Sequence, residues 1–180
     1  DALSKELFAA IVSLKNTGNL NNETIGELTG KISEQVTFQK EIADQFTEKN
    51  VALQKNESLP TYKKSYEALK KKYSATTIGQ ELIYTDQALT EESIDATFKL
   101  REIGNLYKSM AEDIIKIETP VVYKYRVLEF ANSSYKVGIA VSNMSEIIDN
   151  PLVGIIGIAQ YQLYGDAVVT DLESLDTLVK

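Results

Sequence analysis

Cysteine, histidine and tryptophan are all missing from this 180-residue chain. Without cysteine there is no disulfide and no thiolate nucleophile, and without either residue the usual zinc and haem ligand sets cannot be assembled. The loss of histidine also removes the side chain most used to move protons near neutral pH. Glycine-rich phosphate loops, serine nucleophile elbows and alternating-aspartate calcium loops do not occur. A di-metal helical bundle needs Glu-x-x-His pairs, so its usual form is excluded as well. With 19 basic against 26 acidic residues the net charge is -7, which argues against a protein that binds nucleic acid by neutralising phosphates. No uninterrupted apolar run approaches the ~20 residues that crossing a bilayer requires. The expectation is no catalytic residue, no cofactor and no metal. A cysteine-free chain also suits an oxidising envelope compartment.

What is present is ordinary for a folded domain: 43% hydrophobic and 25% charged residues. A chain of this length buries roughly 70% of its unfolded surface and needs no staples, so 1–180 reads as a single domain. Leu3, Leu7, Ile11 and Leu14 recur at helical spacing before Gly18, and Ile25, Leu28, Ile32 and Val36 do so after it. The span 1–37 is therefore expected to form an antiparallel helical hairpin. Residues 38–57 lose the periodicity, Val51-Ala52-Leu53 reads as extended chain, and this span is taken as a crossover.

The main bundle is assigned to 58–180. Ser58 and Pro60 mark a helix start, and Tyr62, Tyr66, Leu69 and Tyr73 then recur at steps of four, three and four. A further helix from about Thr77 carries Ile78, Leu82 and Leu89, with Thr90 as a cap or offset. Leu100, Ile103, Tyr107, Met110, Ile114 and Ile117 form an unbroken seam of threes and fours. Pro120 and Pro151 each end one helix and begin the next. Between them lie Val127, Phe130, Val137, Val141, Met144 and Ile148, with Ser134 in the skipped position. Beyond Pro151 come Leu152, Ile155, Ala159, Leu163, Val168, Leu172, Leu175 and Val179. The prediction is an all-α, elongated antiparallel bundle of about six helices, the three C-terminal ones 25 to 30 residues long, roughly 40 Å at ~1.5 Å per residue.

Gly154 and Gly157 sit in the most apolar stretch, where two glycines cost a helix about 2 kcal/mol against alanine. Close packing against a neighbouring helix is the expected compensation. The carboxylates Glu91, Glu92 and Asp95, Glu112 and Asp113, and Asp171, Glu173 and Asp176 read as solvated faces, and so does the cluster Lys70-Lys71-Lys72. The ten tyrosines suit bundle edges or a recognition surface. Tyr123, Tyr125 and Arg126 at the start of one long helix, with Tyr161 and Tyr164 midway along the last, are the candidate contact surface.

Leu14-Lys15 before Gly18, Ile117-Glu118-Thr119-Pro120 leading to Leu128 and Asn132, and Asn150-Pro151-Leu152 leading to Tyr161 form a pattern that resembles uncharacterised envelope proteins of candidate-phyla bacteria. The resemblance implies a helical extracytoplasmic domain behind one membrane-spanning helix that would precede Asp1. Such proteins often carry a histidine in the helix after the proline, and this chain has none. The expected function is a non-enzymatic structural or protein-interaction domain, periplasmic or at the cell surface. Its partner would be another envelope protein, with no nucleic acid, and it would meet the membrane only through a segment outside this chain. The alternative is a ligand-sensing helical bundle like those of chemoreceptors.

Overall fold

A computed structural model describes Ala9, Ser13 and Thr17, then residues 41–56 and 58–179. The expected hairpin over 1–37 lies outside the described residues apart from those three. The described residues form an all-helical bundle with five α-helices: α1 (Leu59–Ser74), α2 (Glu81–Glu91), α3 (Ile94–Ile114), α4 (Lys124–Met144) and α5 (Pro151–Leu178). The expectation of about six helices thus becomes five among these residues.

Each boundary has a local cause. Pro60 sits in the first turn of α1 and Pro151 at the start of α5, where no intrahelical donor is missed. Gly79, with φ +94, turns the chain between α1 and α2 in a conformation that favours glycine. Ser93, not Thr90, opens α3, its Oγ accepting the Ala96 N–H at 3.3 Å. Glu92 makes the break by adopting φ 48. Between α3 and α4, Pro120 leads into a single 3-10 turn, Val121–Tyr123. That turn and the early end of α3 hold both helices to 21 residues, shorter than expected, while α5 reaches 28.

The two seams read from sequence are the core. Leu100, Ile103, Tyr107, Met110 and Ile114 of α3 are buried, as are Val127, Phe130, Ser134, Val137, Val141 and Met144 of α4. Glycines set the distance between these helices. A Cβ on Gly104 would lie 2.8 Å from the Gly138 carbonyl oxygen, and one on Gly157 would lie 2.3 Å from the Met144 backbone nitrogen. Gly154 meets Ile147 in the same way. The close packing anticipated for Gly154 and Gly157 is therefore what α4 and α5 use, and the lost propensity is offset by backbone approach.

The crossover is extended where expected. Leu53 pairs with Thr119 in an isolated parallel bridge, Ala52 N–H donates to Ile115 O at 2.8 Å and Gln54 N–H to Thr119 O at 3.0 Å. The Asn132 amide accepts from Phe46 N–H at 2.9 Å and donates to Phe46 O at 3.1 Å, acting as a strand partner for one residue. These bonds satisfy a backbone segment that has no sheet to join.

α5 differs from the sequence expectation about membrane spans. Gln160 and Gln162 interrupt its apolar run, yet among the described residues it is one helix long and apolar enough to cross a bilayer. It packs antiparallel along α4, and only 28% of its most apolar window is buried.

Candidate functional site

α1 stands apart from the other helices because of the residues on its inner face. Tyr62, Tyr66, Leu69 and Tyr73 are all buried, and three rings at helical spacing keep its backbone away from α5. The space left is a cleft of ≈540 Å³ walled by α1 and α5, with a floor from Tyr107 and Met110 of α3 and Phe130 of α4. Val168, Val169 and Leu172 of α5 add to its apolar lining.

The tyrosine hydroxyls around the cleft are held by carboxylates. Tyr66 donates to Asp176 Oδ1 at 2.6 Å, and Lys70 reaches the same oxygen at 2.8 Å, tying α1 to α5. Tyr73 donates to Asp113 Oδ2 at 2.8 Å, which also takes Lys72 at 2.6 Å and ties α1 to α3. Tyr107 hydrogen-bonds Glu81, a residue only 1% exposed at the first position of α2, whose Oε1 has no partner.

Burial first, then the accepting carboxylate, pushes Tyr66 and Tyr107 well above the ordinary phenol value and raises Tyr73. Burial alone would raise Asp113, but hydrogen bonds from Lys72 and Tyr73 overcome it and hold the carboxyl below its usual range. These phenols are donors rather than bases at neutral pH.

Asp113, Asp176 and Lys70 are therefore partly covered clamps, a correction to their reading as solvated faces, while Lys72 is exposed as that reading had it. Their pairs are not repeats within one helix, so no spacing in the sequence announces them. The tyrosine periodicity of α1 was visible, but its partners were not. Half-buried Lys108, by contrast, has only Ser142 Oγ at 2.8 Å, and burial lowers its pKa.

The tyrosines singled out from sequence are divided among three places. Tyr123 packs its ring 5.7 Å from that of Tyr62 and donates to Leu178 O at 3.3 Å. Tyr161 is packed against the core, where burial and then Glu81 push its phenol up to about 12. Tyr125, 61% exposed, and Tyr164 line one groove of ≈560 Å³ between α4 and α5, with Asp44, Glu129, Lys136 and Asp171 beside them. Tyr164 accepts the Ile42 N–H at 2.9 Å, and Lys136 lies 5.2 Å over its ring. Arg126 is exposed and pairs with Glu129 one turn along the same helix. The five residues thus do not form one contiguous patch.

Among the described residues no three acidic side chains gather as metal ligands. No family model, curated protein or solved structure matches this chain.

Proposed function

We propose that this chain is a non-enzymatic protein-interaction domain of a membrane-anchored envelope protein, displayed outside the cytoplasmic membrane. The observation that carries the reading is the outward face of α5. Leu163 and Val169, the latter at the edge of the cleft, are each 55% exposed on the most apolar helix of the bundle, and an apolar face left open on a folded domain marks a contact site. Tyr125 and Tyr164 rim the adjoining groove and supply rings suited to an interface. The partner would be another envelope protein. The missing histidine and cysteine support a binding role over a catalytic one.

A photocrosslinking residue placed at Leu163 or Val169, in the native cell, should give discrete protein adducts. The same residue at exposed Lys64 should give none, and Leu163→Glu should suppress adducts formed from position 169. Equal adducts from all three positions would overturn the reading. The compartment has a separate test, since a cysteine-free chain reports cleanly through one introduced thiol. Lys64→Cys should react with a membrane-impermeant maleimide in intact cells, and labelling only after lysis would place the domain inside.

A second reading, ligand sensing, is favoured by the cleft between α1 and α5. Its ≈540 Å³ falls within the about 300 to 1,000 Å³ of small-molecule sites.

A further inference from the structure

The cleft has a chemistry that narrows what it could hold. Tyr66, Tyr73 and Tyr107 direct their hydroxyls to Asp176, Asp113 and Glu81, so the polar atoms of its aromatic wall already have partners. Away from Glu67 and Lys71, the remaining lining is ring surface with the side chains of Leu69, Met110, Val168 and Leu172, Ser74 Oγ being bonded to Lys71 O. A polar ligand would lose its water there and gain no hydrogen bond in return.

The charged side chains that line the cleft are Glu67, Lys70 and Lys71, all on α1. Lys70 and Lys72 are neutralised by Asp176 and Asp113. Lys71, between them and exposed where it lines the cleft, makes no ion pair among the described residues. A cationic ligand is disfavoured for a further reason: Lys70 and Lys72 already lie 5.7 and 5.0 Å over the Tyr66 and Tyr73 rings, the faces an ammonium group would seek.

We infer that this cleft binds a single-chain amphiphile with an anionic head group, its apolar chain against the Tyr66, Tyr73, Tyr107 and Phe130 rings and its head against Lys71. The inference rests on the ligand-sensing reading and names the ligand class for that site. It concerns a different surface from the one around Leu163, and Val169 borders both.

The test titrates the intact chain calorimetrically with decanoate, decanol and decyltrimethylammonium, each below its aggregation concentration. Decanoate should bind roughly three- to tenfold more tightly than decyltrimethylammonium, the range expected of one partly exposed charge. Lys71→Glu, at a surface position that does not threaten folding, should abolish or reverse that order while leaving decanol unchanged. Leu172→Trp, which fills the cleft, should weaken all three by at least about tenfold, equivalent to about 1.4 kcal/mol. Its folding is checked by circular dichroism, and Lys71→Glu decides the matter if it does not fold. Failure of all three probes to bind overturns both the ligand-sensing reading and this inference. Equal binding of the three, or an order untouched by Lys71→Glu, leaves a ligand cleft standing and overturns the anionic head group.

Discussion

α4 meets its neighbours through glycine, and α1 meets them through tyrosine. At the first kind of contact, Gly104 against Gly138 and Gly157 against Met144, backbones approach until not even a Cβ fits. At the second, Tyr62, Tyr66 and Tyr73 hold a helix away, and the hydroxyls of Tyr66 and Tyr73 reach acids on other helices. Both arrangements bury apolar surface, but the first leaves no room and the second leaves a cleft. Small residues make the rigid half of this bundle, and large amphipathic rings make the half that could take up a ligand.

The comparison breaks most directly at Gly157. A Cβ there would meet the Met144 backbone nitrogen at 2.3 Å and the Ala140 carbonyl oxygen at 2.6 Å, atoms that cannot swing aside as a side chain can. Gly157→Ala should cost about 3 kcal/mol, at the upper end of overpacking effects, read as a fall in thermal midpoint. Gly165 has nothing nearer a new Cβ than 3.7 Å, and Gly165→Ala should stabilise by up to about 1 kcal/mol through helix propensity. Equal effects at the two glycines would remove the contrast.

The tyrosine half should fail first in alkali. Tyr62, Tyr66, Tyr107 and Tyr161 all have native values above the ordinary 10, with Tyr161 at about 12 and burial the largest cause in each. The unfolded chain then releases these protons at lower pH than the folded one. Stability is therefore constant below about pH 10 and falls as pH rises through the native values. Thermal midpoints measured from pH 8 to 12 should be level and then drop, and Tyr107→Phe should make the drop shallower. A chain as stable at pH 12 as at pH 8 would show that these phenols are wet.

Within α1 the contrast sharpens between two stacked rings. Tyr66 donates to Asp176, whereas the buried Tyr62 hydroxyl has no partner. Tyr66→Phe should cost about 1 to 2 kcal/mol, a hydrogen bond to a charged acceptor discounted for its half-exposed setting. Tyr62→Phe should be neutral or stabilising, because it removes a buried oxygen that bonds to nothing. Denaturant midpoints of the two variants give the order, and a larger loss at Tyr62 would reverse the account.

How much of this was legible depends on whether the signal was periodic. The α3 and α4 seams and the proline boundaries follow from spacing alone, and Leu100, Ile103, Tyr107, Met110 and Ile114 were visible, whereas buried Gly104 and Ala111 beside them were not. α2 was not: Glu81 is buried while Leu82 is 64% exposed, so the true inner face is rotated from the apolar one. A buried carboxylate held by Tyr107 of another helix carries no periodic mark. The clamps at Asp113 and Asp176 escaped for the same reason, since their lysine and tyrosine partners lie about 40 and 106 to 110 residues away in sequence. Tyr123, Tyr125, Tyr161 and Tyr164 were visible as a composition, but composition does not say which side of a helix faces inward.

The smallest effect is expected on another face of the helix where the largest lies. Gly157 and Leu163 are six positions apart on α5, one pressed against α4 and the other 55% exposed. Leu163→Gln should change stability by no more than about 0.5 kcal/mol, as a surface substitution away from packed features does. Paired with Gly157→Ala, it measures how unevenly one apolar helix is anchored. A near-zero value leaves the outer face free for a partner, so that binding and folding draw on different faces of α5. A loss approaching that of Gly157→Ala would mean Leu163 is covered in the folded chain, and the interaction surface would then have to lie in the groove of Tyr125 and Tyr164 instead.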